Sequence, residues 1–233
     1  MTKLGIIGAM DVEVAILKEK MTEKTVTKVG RMEFFEGKLC SLPVVVCQCG
    51  VGKVHAAMCV QTLCIRFGVT HIVNTGVAGS LDAQLDICDV LVSTDAIQHD
   101  MDVTHLGYDV GKVPGLDVAA FPADEMLMKY AYEASEALRP GHTRLGRVAT
   151  GDQFINSKAQ KEKIIADTGA KCTEMEGAAI AQAAYVNGVP FVILRAISDK
   201  ADDSADMDYP TFENIAARSC AAVTEALAKK MAE

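Results

Sequence analysis

The chain has 233 residues, half of them apolar and 23% charged, which suits one large α/β domain or two small ones with ample core. Acidic side chains outnumber basic ones by 31 to 23, for a net charge of −8, and no run of Lys and Arg offsets them, which excludes a nucleic-acid surface. No apolar run approaches the roughly 20 residues that cross a bilayer, so no membrane partner is expected.

In chain order, short β-like runs alternate with helical ones. "KLGIIGAM" reads as a buried strand and "DVEVAILKEKM" as a helix. The opening "MTKLGIIGAMDVEV" turns acidic too early for a signal peptide, which predicts a cytoplasmic protein. "LPVVVCQCG" is a strand, "VHAAMCVQTLCIRFG" a helix closed by Gly68, and "THIVNTG" and "CDVLVSTDAI" are strands. "ADEMLMKYAYEASEAL" is an amphipathic helix with Leu127, Ala131, Ala134 and Leu138 at helical spacing. "SKAQKEKIIADTG" opens on a capping box, Ser157 with Gln160, and stops at Gly169. A helix from "KCTEMEGAAIAQAAYVNGVP", the strand "VPFVILRAISD" and a closing helix in "TFENIAARSCAAVTEALAKKM" complete the series.

Strands that read as continuous Val/Ile runs are buried on both faces, as in a mainly parallel sheet covered by helices. With no internal repeat and no linker, residues 1–233 read as a single α/β domain. The eight cysteines form no C-x-x-C pair and lie mostly in apolar runs, which predicts free buried thiols. Residues 99–122 lack a clear period, and residues 199–210, "DKADDSADMDYP", read as an acidic loop directly after a strand, where α/β sheets bind ligands.

Three motifs are weak. "CGVGKVHAA" places Gly50 and Gly52 at a strand-to-helix turn but lacks the third glycine of a dinucleotide fingerprint and the GK[ST] of a P-loop. His99, Asp100, Asp102 and His105 match no standard zinc or iron spacing. Asp202, Ser204, Asp206, Asp208 and Glu213 fall at calcium-loop positions, but Met207 stands where the loop needs glycine and Pro210 stiffens the ninth position. No metal is expected.

"TEMEG" is more informative. Thr173 and Glu176 have the spacing of a capping box, and the same glutamate in so apolar a run equally fits a functional role. Arg195 and Asp199 lie in the apolar run "FVILRAISD", and Glu13 follows the first strand. A charged group in or at the end of a buried strand is either paired or engaged in chemistry. Several acids near strand ends, without a metal motif or Ser-His-Asp spacing, point to acid/base chemistry on a neutral polar ligand.

Taken together, "GIIGAMDVEV", "CGVGKVHAA", "NTGVAGSL", "HDMDVT", "GDQFI", "TEMEGAAIA" and "RAISDKAD" resemble the 5′-methylthioadenosine/S-adenosylhomocysteine nucleosidases of the purine nucleoside phosphorylase superfamily, over nearly the whole chain and in order. The resemblance implies a central mixed sheet flanked by helices, a homodimer, and hydrolysis of the N-glycosidic bond of adenine nucleosides without cofactor or metal. By the same resemblance Glu13 activates water and Asp199 protonates N7 of the leaving adenine. Glu176 holds the ribose hydroxyls, Met175 packs on the sugar, Phe154 stacks on the base, Ile155 bonds it through backbone, and Arg195 helps position the water. Glu174 is left either structural or as a support for the residues that touch the ligand.

The sequence departs from the family pattern at Val77, where members often carry serine, and at Leu106, where many carry an aromatic; Tyr108 is retained. That loop, residues 104–108, is implied to reach the partner subunit's 5′-substituent pocket, with Tyr209 covering the adenine side. Rival readings are a phosphate-dependent nucleoside phosphorylase, a non-catalytic nucleoside-binding protein and a metal-dependent hydrolase.

Overall fold

The computed structural model describes residues 2–233. In chain order it contains β1 (Leu4–Gly8), α1 (Asp11–Lys20), β2 (Thr22–Val29), β3 (Met32–Leu39), β4 (Leu42–Gln48), α2 (Lys53–Phe67), β5 (His71–Ser80) and β6 (Val90–Gln98). A 3-10 turn (Thr104–Leu106) follows, then β7 (Phe121–Pro122), α3 (Glu125–Leu138), β8 (Thr143–Thr150), α4 (Lys158–Thr168), β9 (Cys172–Glu174), α5 (Gly177–Asn187), β10 (Phe191–Asp199) and α6 (Ala205–Ala232).

One mixed sheet takes in every strand. β2, β3 and β4 form an antiparallel meander, β4 lies parallel to β1, and β1 lies parallel to β5. From β5 the sheet closes on itself. β5 pairs parallel with β10, β10 antiparallel with β6, β6 parallel with β8, β8 parallel with β9, and β9 antiparallel with β5 again. A closed ring leaves its member strands no free edge, and it holds the last residues of β5 between two neighbours.

Side chains alternate across β1 and β4 as the period of a strand requires. Leu4, Ile6, Val44 and Val46 join a core closed by α1, α3 and α6, whereas Ile7, Val45 and Cys47 face α2 and α5. A third, smaller cluster includes Leu81, Ile97, Ala149, Ile155 and Ile164, the last from α4. Burial on both faces is why these strands read as unbroken aliphatic runs. All eight cysteines are free, although Cys40 is exposed and Cys64 and Cys88 are only half-buried. No helix among the described residues is long and apolar enough to cross a membrane.

The expected elements are present, with these differences. The run from Lys171 read as one helix opens with strand β9, and its helix α5 starts only at Gly177; the short strand β7 lies in the stretch read as aperiodic. The hairpin β2–β3 and strand β8 are additional; β2, "TEKTVTKV", is an exposed edge strand whose side chains carry charge instead of an apolar face. Leu138 is exposed, so the buried stripe of α3 ends at Ala134 and Ser135. The acidic loop is shorter than expected, because α6 begins at Ala205 and contains Pro210 in its second turn. Ser157 caps α4 by accepting the Gln160 N–H at 3.4 Å, but Gln160 bonds the serine hydroxyl rather than its backbone amide.

Candidate active site

Beyond the carboxyl ends of β1 and β10, and along the last residues of β5, four carboxyl groups and one guanidinium are buried together. The parallel register sets Arg195 opposite Gly76 and Asp199 opposite Gly79. A Cβ at position 76 would lie 2.1 Å from Arg195 Nη1 and 2.4 Å from Glu13 Oε1; one at position 79 would lie 2.7 Å from Asp199 Oδ1. The glycines of "GVAG" therefore make room for charged side chains in a packed sheet.

Arg195 is 1% exposed. Its Nη2 donates to Glu174 Oε2 and, at 2.6 Å, to Asn74 Oδ1, and it lies 4.0 Å from Glu176 Oε2. Its Nε has no partner. Burial opposes the guanidinium charge, but Glu174, Glu13 and Glu176 outweigh it and hold the group cationic.

Glu13 is the third residue of α1, where it also caps the helix. Oε2 accepts the N–H groups of Ala9 (2.7 Å) and Met10 (2.9 Å), and Oε1 accepts that of Val77 (3.1 Å). Burial raises its pKa; the charge of Arg195 and the three amides pull it back without cancelling the shift. Glu174 ends β9. Its Oε1 accepts the Thr150 hydroxyl, and Oε2 accepts the N–H groups of Glu176 (3.2 Å) and Gly177 (2.7 Å). The capping reading of "TEMEG" is thus corrected: Glu174, not Glu176, satisfies the first amides of α5.

That leaves Glu176 free for another contact, and its Oε1 accepts the Gly52 N–H at 2.8 Å. Burial and the neighbouring Glu174 charge raise its pKa to about 7, against the opposing pull of Arg195 and the Gly52 amide. Asp199 is 2% exposed; its Oδ2 accepts the Ser198 hydroxyl and its Oδ1 the Ala201 N–H, both at 2.8 Å. Burial raises its pKa above the usual carboxylate range, and the charges of Asp208 and Asp202 add to the shift.

Glu13, Glu174, Glu176 and Asp199 line one cavity of about 220 Å³, together with Met10, Val51, Val77, Thr173, Met175, Phe154 and Tyr209. No lysine, arginine or histidine is among its lining residues. An adjoining space of about 30 Å³ is lined by Phe154, Ile155, Met175 and Asp199. Phe154 and Tyr209 meet edge to face, with ring centroids 5.5 Å apart. The contact points of Glu13 and Asp199 on β5 lie three residues apart (Gly76 and Gly79), or about 10 Å of strand. Two buried carboxyl groups set apart in one cavity can divide the protonation of a leaving group from the activation of water.

The sequence profile of the phosphorylase superfamily matches residues 3–229. A 5′-methylthioadenosine/S-adenosylhomocysteine nucleosidase of Exiguobacterium sp. strain AT1b is 38% identical over 230 residues, covering 98% of each chain. The chain belongs to that nucleosidase family. The Neisseria meningitidis enzyme of the same name, crystallised with methylthio-immucillin-A, superposes with a TM-score of 0.96 at 35% identity and covers 99% of this chain and 100% of its own. A Helicobacter pylori futalosine hydrolase is also similar, with a TM-score of 0.93, 32% identity and 98% of both chains covered.

Within this nucleosidase family fold, eight of the residues singled out from sequence line the cavities: Glu13, Val77, Phe154, Ile155, Met175, Glu176, Asp199 and Tyr209. Tyr209 does so from helix α6 rather than from a loop, donating its hydroxyl to Glu213 at 2.9 Å. Arg195 is not in the wall; it lies behind the carboxylates and acts on the cavity through them. Leu106 and Tyr108 line neither space and are 73% and 39% exposed. The sequence reading missed Met10, Val51 and Thr173, whose hydroxyl is buried without a partner, and it left Glu174 out of the wall. For Glu174 the signal was present, since Arg195 in an apolar strand demands a buried anion.

Two outcomes follow. Glu174→Ala leaves Arg195 without its nearest anion and lowers stability by about 3–5 kcal/mol, read from urea unfolding. An unchanged midpoint would contradict the pairing. For Glu176, the folded chain keeps a proton that the unfolded chain loses as pH rises from the usual 4.5 to about 7, so stability falls over that window. Glu176→Gln therefore matches the wild type near pH ~4 and is the more stable of the two near pH ~8. The reverse order at the higher pH would contradict the assigned shift.

Proposed function

We propose that the chain, as a single nucleosidase domain, hydrolyses the N-glycosidic bond of 5′-methylthioadenosine, S-adenosylhomocysteine and related 5′-substituted adenosines to release adenine. The observation that carries this reading is the cavity wall: four carboxyl groups and no cation. A phosphorylase must fix a phosphate with cationic or amide donors. Here the amides of Ala9, Met10, Val77 and Gly52 are already taken by Glu13 and Glu176, so water is the better supported nucleophile.

In this mechanism Glu13 takes the proton of the attacking water. Its raised pKa makes it a stronger base than an exposed glutamate, and the amide bonds on both its oxygens fix its orientation. Asp199, whose burial favours the protonated form, gives its proton to N7 of adenine as the glycosidic bond breaks. Glu176 accepts the ribose hydroxyls while Met175 packs on the sugar. Phe154 stacks on the base, and the backbone of Ile155 bonds its edge. The negative wall also stabilises the cation-like sugar of the transition state.

Val77 presents its N–H to Glu13 and an apolar side chain to the cavity, so the water is held by the carboxylate rather than by a hydroxyl at this position. The exposed Leu106 and Tyr108 fit a homodimer in which residues 104–108 close the partner's 5′-substituent pocket. We place the protein in the cytoplasm, without cofactor, metal, membrane or nucleic-acid partner.

Adenine release from methylthioadenosine tests the roles. Asp199→Asn and Glu13→Gln each lower kcat at least about a hundredfold, the range general acid and base groups supply, while both variants stay folded. Near-normal turnover by either variant removes that residue from its role.

A further inference from the structure

Outside the lining of the acid-walled cavity, the polar groups of "CGVGKVHAA" and "HDMDVTH" meet at one lysine. Lys53, the first residue of α2, donates from Nζ to Asp100 Oδ1 at 2.7 Å and to Gln98 Oε1 at 3.1 Å. Asp100 Oδ2 accepts the Asp152 N–H at 3.0 Å, and Asp152 Oδ1 accepts the N–H of Lys53 at 2.9 Å. The contacts close a ring from lysine side chain to lysine backbone through two aspartates. Both members of the ion pair are about four-fifths buried, which shields it from salt more than a surface pair. Burial would raise the Asp100 carboxyl, but the hydrogen bonds from Lys53 and the Asp152 amide leave it below the usual range.

The ring sits between two parts of the site. One residue before Lys53, Gly52 donates its N–H to Glu176 at 2.8 Å. Its φ of +96° favours glycine, and a Cβ there would stand 3.1 Å from Asp152 Oδ1. Two residues after Asp152, Phe154 lines the cavity. Gln98 extends the network by donating to Gln182 on α5 at 2.5 Å.

We propose that Lys53, Asp100 and Asp152 are positioning residues that fix the spacing between the sugar-holding Glu176 and the base-holding Phe154. The ring thereby sets how strongly the cavity prefers a whole adenine nucleoside over adenine alone. This rests on the nucleosidase reading for which group lies at which end. A ligand that fills one end is indifferent to the spacing, whereas a ligand that spans both ends must order them if they are not already held.

Titration calorimetry tests this with two probes: adenine, and the 7-deaza analogue of methylthioadenosine, which lacks the N7 to be protonated and stays whole. Lys53→Met removes the ammonium but keeps the stem and backbone N–H; Asp100→Asn keeps an acceptor for Asp152 but removes the charge. In each, Kd for the analogue rises about tenfold while Kd for adenine changes less than about twofold, and the double variant is no worse than either single one. Lys53→Arg recovers most of the loss. Equal weakening of both ligands, or weakening of neither, overturns the proposal and leaves the nucleosidase reading intact. A wild type that binds neither probe overturns both. Should Lys53→Met fail to fold, Asp100→Asn carries the same comparison.

Discussion

The buried charge of Arg195 is the constraint on which the rest of the site depends. A guanidinium 1% exposed in the middle of a sheet is stable only with anions and acceptors around it. Glu174 and Asn74 bond it directly, while Glu13 and Glu176 contribute through charge. Its demand for room fixes glycine at position 76, and its demand for partners brings the start of α1, the end of β9 and the start of α5 to one point.

The arginine does not neutralise all the acids it gathers. Glu13 and Glu176 keep raised pKa values because burial exceeds the compensating attractions, and Asp199, at the end of β10 opposite Gly79, is raised by burial and nearby acids. The same desolvation that threatens stability thus favours the protonated form of each of these groups. Backbone amides distinguish the two glutamates. Three of them orient Glu13, whereas Glu176 takes one and retains acceptor capacity for a ligand.

Much of this was legible in the sequence, for identifiable reasons. Arg195 and Asp199 stood out because charge in an aliphatic run has to be explained, and the buried strands announced themselves by that run. Glu174 and Glu176 were visible but not separable. Their contacts depend on Arg195 in another strand and on Gly52, 124 residues distant from Glu176, so local spacing left Glu176 equally open as a helix cap or a functional group. The hairpin β2–β3 was silent because an exposed edge strand buries little. The first turns of α6 were hidden by Pro210, which reads as a boundary yet lies within the helix. The ring of Lys53, Asp100 and Asp152 joins three sequence-distant segments, and no one of them signals it.

In the proposed reaction the acid-lined cavity uses water, not phosphate, to cleave the bond. The most direct test is adenine release from methylthioadenosine in phosphate-free buffer containing a chelator, repeated with phosphate added. Hydrolysis gives full release without phosphate, with methylthioribose as the sugar product in both cases. Release only after phosphate is added, with a sugar phosphate as product, would contradict it.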